Sequence, residues 1–214
     1  MNAVLFDLDG VLVDSRAAIS GAMNHALAVN GFPQRDAAKL YRFIGPPLAL
    51  GFTELTAQPA DSPAVVACVL AYRERYAVSS LTETEVFAGI PDALVELSRH
   101  YRLAIATSKL RALAEPLLAA VGLREWFEVV AGPDLDARVE DKATTIGSAL
   151  AALGAEPVAM VGDRSFDVVG AHAHGLPAIG VTWGIGGREE LSAADAIVDE
   201  PADLPATVVR LLPE

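Results

Sequence analysis

Apolar residues come in short unbroken runs along most of the chain: Ala3–Phe6, Leu103–Ala106, Val129–Ala131, Val158–Val161, Ala178–Val181 and Ala196–Val198. Runs of this length without polar alternation suit strands buried on both faces, as in a parallel sheet covered by helices. Helix-like patterns lie between them, one of them opening at Lys142 and running to Leu150. The alternation predicts an α/β fold: a doubly wound parallel sheet with a Rossmann-like core. Residues 15–84 break the rhythm. They read as helices Arg16–Val29, Asp36–Phe43, Leu48–Leu55 and Pro63–Val78, separated by Gly31-Phe32-Pro33, Gly45-Pro46-Pro47 and Pro59–Pro63. An all-helical insertion over 15–84 then divides a core made of 1–14 and 85–214.

Two of the apolar runs end in acids. Ala3–Phe6 leads into Asp7-Leu8-Asp9-Gly10, with carboxylates at i and i+2, the spacing that sends both side chains to one side of a strand. Val158–Val161 leads into Gly162-Asp163-Arg164-Ser165-Phe166-Asp167, and a helix starting after Asp163 brings Asp163 and Asp167 to one face. Four carboxylates in one crevice repel one another unless a cation is present, and an all-oxygen set suits Mg²⁺. Leu103–Ala106 ends in Thr107 and Ser108, and Lys142 stands at a helix start. A nucleophile, a second acid, a hydroxyl donor, a lysine and metal carboxylates, each at a strand end or helix start, point to phosphoryl transfer.

These motifs, in this order and spanning the chain, resemble those of the haloacid dehalogenase superfamily, in the branch of phosphoglycolate phosphatases and 5′-nucleotidases. Asp7 and Asp9 match the first motif, Thr107 the second, Lys142 the third, and Asp163 with Asp167 the fourth. Position 11 is Val where many members carry Thr, and Lys142 is followed by Ala where Pro is frequent. The resemblance implies that the insertion is a helical cap domain, with Asp7 as nucleophile and Asp9 as general acid and base. It further implies Mg²⁺ held by Asp7, Asp163 and the backbone carbonyl of Asp9, with Asp167 a direct or a water-mediated ligand, and Thr107 and Lys142 on the phosphate oxygens. Ser108 would be a second phosphate donor or a helix cap, and the loop around Gly45, with Arg42 before it, would contact substrate. The expected substrate is a small phosphate ester, 2-phosphoglycolate first, a 5′-nucleotide or sugar phosphate second. A phosphomutase of the same fold and a non-catalytic phosphate-ligand sensor are the alternatives.

Composition narrows the partners. The net charge of −12 disfavours nucleic acid and anionic membrane surfaces, both of which select basic patches. Residues 15–84 carry six cations against five acids, so the insertion is near neutral and the rest of the chain strongly acidic. Cys68 is the only cysteine, which excludes an intrachain disulfide. The first apolar run is too short for a signal peptide, and the longest, Ala64–Tyr72, is too short to span a bilayer. A cytoplasmic monomer or homodimer is expected. His172 and His174, two apart on a helix, face different ways and make no metal pair. Trp183 to Arg188 reads as a glycine-rich structural loop.

Overall fold

The structure, a computed structural model, describes residues 2–134, 141–154 and 157–212. It forms two compact units: one runs through Asp14 and resumes at Val86, the other is Ser15–Glu85. The second crossing falls one residue beyond the 84/85 boundary expected from sequence, and the outer limits 1 and 214 lie outside the described residues. Two strands of two residues each, β2 (Val13–Asp14) and β3 (Glu85–Val86), pair where the chain passes between the units. Neither is long enough to leave a periodic signal.

The core unit carries a six-stranded sheet of β1 (Ala3–Phe6), β4 (Arg102–Ala106), β5 (Val129–Ala131), β6 (Pro157–Gly162), β7 (Ala178–Val181) and β8 (Ala196–Val198). The order is β5-β4-β1-β6-β7-β8 and every pairing is parallel. Chain order runs outward from β1 to β5, then jumps back across β1 to β6 and runs outward the other way. This reversal between β1 and β6 is the place where an open α/β sheet puts its ligand crevice, at the carboxyl ends of the strands.

The period-two geometry of a strand divides its residues between two cores. Val4, Phe6, Leu103, Ile105, Val161 and Ile179 face one layer, formed with helices α5 (Ile90–Leu97), α6 (Arg111–Ala120) and α9 (Leu204–Leu211). Ala3, Leu5, Ala104, Ala106, Met160 and Ala178 face the other, formed with α7 (Lys142–Leu153) and α8 (Ser165–Ala173). Burial on both faces explains why these strands read as continuous apolar runs.

The second unit is helical: α1 (Arg16–Val29), α2 (Ala37–Leu40), α3 (Leu48–Thr56) and α4 (Pro63–Ser79), with a 3₁₀ turn at Tyr41–Phe43. The helix expected over Asp36–Phe43 is therefore an α turn that tightens into 3₁₀ ahead of Gly45-Pro46-Pro47, where helical continuation is blocked. Helix α4 packs on α1 and α3. Phe52, Tyr72 and Tyr76 are buried between them, and the Tyr72 and Tyr76 rings stack at 5.3 Å. Those three aromatics form the unit's core and offer no platform for a base. Buried Cys68 packs there too, its sulfur 3.8 Å from the Ala26 carbonyl.

Candidate active site

Asp7 follows directly on β1, and its backbone N–H extends the ladder to the Val161 carbonyl at 2.9 Å. Its Oδ1 accepts from the Leu8 N–H at 2.7 Å and lies 3.1 Å from Lys142 Nζ. Asp163 follows β6, the strand beside β1, and Asp167 sits in the first turn of α8. One carboxylate oxygen from each of Asp7, Asp163 and Asp167 lies within 4.8 Å of the others, and all three residues are buried.

The cluster is held from several directions. Asp167 Oδ2 accepts from the Arg164 N–H at 3.1 Å, which closes the turn between Asp163 and α8. Its Oδ1 is 2.8 Å from Lys142 Nζ. Asp141 caps α7 by accepting from the Thr144 N–H, and this places Lys142 in the first turn, reaching back to the sheet edge. The ammonium donates to the Ala106 carbonyl at 3.1 Å and forms ion pairs with Asp7 Oδ1 at 3.1 Å and Asp167 Oδ1 at 2.8 Å.

Charge crowding shows in the acid strengths. Burial pushes the Asp163 carboxyl up to about 8, aided by Asp167 and Asp7, against the Ile185 N–H and Arg164. Burial raises Asp7 to about 6; Lys142 opposes this, while Asp167 and Asp9 add to it. For Lys142, burial alone would favour the neutral amine, but Asp167 and Asp7 reverse that and hold it charged. Asp163 Oδ1 is buried with no hydrogen-bond partner. Three buried carboxylates, two of them (Asp163 and Asp167) with an oxygen lacking a hydrogen-bond partner and two of them (Asp163 and Asp7) resisting ionisation, fit a hard divalent cation, whose charge would remove the repulsion.

Asp9 is near enough to add to the charge on Asp7 but pairs with a different lysine. Its side chain turns to Lys109, with Nζ 2.8 Å from Oδ2, and its Oδ1 is buried without a partner. Within the crevice expected from sequence the counterions differ: Lys142 pairs with Asp7 and Asp167, and Lys109 with Asp9, because spacing reveals the acids but not their counterions. Thr107, at the end of β4, is buried, and its Oγ1 accepts from the Lys109 N–H at 3.2 Å. Ser108 is half-buried in the same turn.

Backbone geometry closes the site. Gly10 has φ +88°, and a Cβ there would come within 2.2 Å of Asp163 Oδ2. Gly184 approaches the same carboxylate, with a notional Cβ 2.4 Å from Asp163 Oδ2. The loop read from sequence as merely structural supplies the Ile185 N–H to Asp163 Oδ2 at 2.7 Å, while the Trp183 indole donates to the Val11 carbonyl at 3.0 Å. Glu190, further along, accepts from Arg164 Nε, the Ser165 N–H and the Ser165 hydroxyl at 2.9–3.1 Å, fixing the start of α8. A backbone donor has no residue-type signature, so only the glycines could have signalled it.

Arg42 and Gly45 lie in the helical unit. The Arg42 guanidinium pairs with Glu54 and stacks on Phe43, 4.6 Å from the ring centre. Gly45 adopts φ +105° in the turn after the 3₁₀ segment. His172 pairs with Asp195 and His174 meets the Ala143 carbonyl, so the two histidines do point apart.

Known proteins resemble the chain over most of its length. The chain is 38% identical to a 5′-nucleotidase of Pseudomonas aeruginosa, over 89% of this chain and 86% of that one. It is 38% identical to the plasmid phosphoglycolate phosphatase of Cupriavidus necator, over 99% and 95%. The crystal structure of a predicted phosphatase from Clostridium acetobutylicum superposes with a TM-score of 0.91 at 32% identity, covering 98% of this chain and 99% of that one. Among the described residues no helix is long and apolar enough to cross a membrane. The model of the haloacid dehalogenase-like hydrolases matches residues 4–181, and the chain belongs to that family.

Proposed function

We propose that the protein is a Mg²⁺-dependent phosphomonoester hydrolase working through an aspartyl-phosphate on Asp7, with 2-phosphoglycolate as first substrate. The observation that carries this reading is the buried Asp7, Asp163 and Asp167 cluster with Lys142 across it, at the carboxyl ends of adjacent strands. A carboxylate of Asp7 attacks phosphorus as the ester P–O bond breaks, which divides one hard displacement into two easier ones. Asp9 gives its proton to the leaving oxygen. In the second step Asp9 takes a proton from water as that water attacks the phosphorus, and Asp7 is released with inorganic phosphate. Lys142 restrains Asp7 and, with Thr107 and Ser108, holds the phosphoryl oxygens. Asp7, Asp163, Asp167 and the Asp9 carbonyl would hold Mg²⁺, which when bound offsets charge on the phosphate.

Substrate selection is assigned to the helical unit. A carboxylate-tailed ester such as phosphoglycolate calls for a cation, and Arg42, whose exposed pairing with Glu54 is easily exchanged, would supply it. The second reading is a 5′-nucleotidase. Phe52, Tyr72 and Tyr76 are buried, which leaves Tyr41 and Phe43, both half-buried beside Arg42, as the rings a base could use. Phosphate release from phosphoglycolate, nucleoside monophosphates and sugar phosphates, with Mg²⁺ and with chelator, tests both readings. Phosphoglycolate should have the highest kcat/KM, and Arg42→Ala should lower it more than that of an uncharged-tail ester. Equal losses would favour the nucleotidase or generalist reading; full activity in chelator would refute the metal requirement.

A further inference from the structure

Lys109 has no assigned part in this chemistry, yet its side chain is 5% exposed and its ammonium lies 2.8 Å from Asp9 Oδ2. The turn that carries it is fixed at both ends. Its N–H donates to Thr107 Oγ1 at 3.2 Å, and its carbonyl presses so closely on Gly132 that a Cβ there would come within 2.5 Å. The two buried lysines divide the acids between them. Lys142 pairs with Asp7 and Asp167, whereas Lys109 pairs with Asp9. With Oδ2 tied, Asp9 is left with one buried oxygen, Oδ1, that has no protein partner.

Resting on the hydrolase reading above, we propose that Lys109 is a positioning residue: its ion pair with Asp9 Oδ2 fixes the carboxyl so that Oδ1 alone faces the leaving-group oxygen. The alternative available to a carboxylate two residues from Asp7 is rotation towards a cation held by Asp7, Asp163 and Asp167. There it could no longer reach the ester oxygen. Lys109 thereby keeps the proton-transfer acid distinct from the metal-binding acids.

The test uses the dependence of rate on the leaving group. A nitrophenolate departs without a proton, while an alkoxide such as that of phosphoglycolate needs one. Lys109→Met should lower kcat for the alkyl ester by about 10²-fold, the lower end of a general-acid contribution, and by less than about tenfold for p-nitrophenyl phosphate. KM should change little for either. Lys109→Arg should restore part of the alkyl rate, and Lys109→Met should add nothing in an Asp9→Asn background. Thermal melts with and without Mg²⁺ act as the second readout, and the metal-linked rise in melting temperature should match wild type. Equal losses on both esters, or undiminished alkyl turnover, would overturn the assignment. So would a lost Mg²⁺-linked rise, which would mean that Lys109 supports the metal site or the fold instead. An inactive wild type, or a fully active Asp7→Asn variant, would bring down the hydrolase reading and the Lys109 assignment with it; normal behaviour of both alongside equal ester losses would remove the Lys109 assignment alone.

Discussion

Replacing Asp163 by Asn should stabilise the metal-free protein although it removes a carboxylate from the candidate metal site. The folded structure holds this carboxyl up at about 8, through burial first and then Asp167 and Asp7, against 3.8 as the ordinary value. Between those limits the folded state binds more protons than the unfolded chain, so stability falls as pH rises from about 4 to 8 and levels off beyond. At pH 7 the penalty comes to about 4 kcal/mol, at about 1.4 kcal/mol for each pH unit above the ordinary value. Asn cannot ionise. Its carbonyl oxygen can still accept from the Ile185 N–H, and its NH₂ would stand where orphaned Oδ1 is now, facing Asp7 and Asp167. If half the penalty is recovered, the midpoint of thermal unfolding at pH 7 in chelator should rise by about 4–8 °C for a chain of this length. Scanning calorimetry of wild type and Asp163→Asn from pH 5 to 8 is the assay. The wild-type midpoint should decline with pH more steeply than the variant's, and added Mg²⁺ should raise only the wild type. A variant less stable than wild type in chelator, with an unchanged pH slope, would refute the reasoning.

Gly184→Ala places a methyl about where Asp163 Oδ2 and the Gly10 carbonyl now lie, so it should abolish Mg²⁺-linked stabilisation in a thermal melt while leaving helical content intact by circular dichroism. Ala57 ends α3 at φ +55°, the one non-glycine residue with positive φ among the described residues; Ala57→Gly should raise the unfolding free energy read from a urea melt by about 0.5 kcal/mol, after allowing for the extra freedom of glycine in the unfolded chain.

Much of the architecture was legible because burial writes itself into apolar runs. Ala3–Phe6, Val129–Ala131, Ala178–Val181 and Ala196–Val198 are strands over the expected residues, and Arg16–Val29 is a helix over the expected residues. Strand order was not legible, because β1 finds its neighbours β4 and β6 about a hundred or more residues away, and local pattern carries no such distance information. The acids were visible through their positions after apolar runs. Their partition was not: Asp9 and Asp7 look equivalent until Lys109 and Lys142 are seen to approach different oxygens. The Ile185 N–H and the Glu190 brace escaped notice for a related reason, one being backbone and the other lying 25 residues from the turn that it fixes.

The central claim is that Asp7 becomes phosphorylated during turnover. Rapid acid quench of the enzyme with a phosphate ester in Mg²⁺, followed by borohydride reduction and peptide mass spectrometry, reads this directly, since an acyl-phosphate is reduced to the alcohol at the residue that carried it. The account predicts homoserine in place of Asp7, absent when substrate is omitted and absent in Asp7→Asn. Reduction at Asp9 or Asp163 instead, or steady phosphate release with no reduced residue at any quench time, would contradict it.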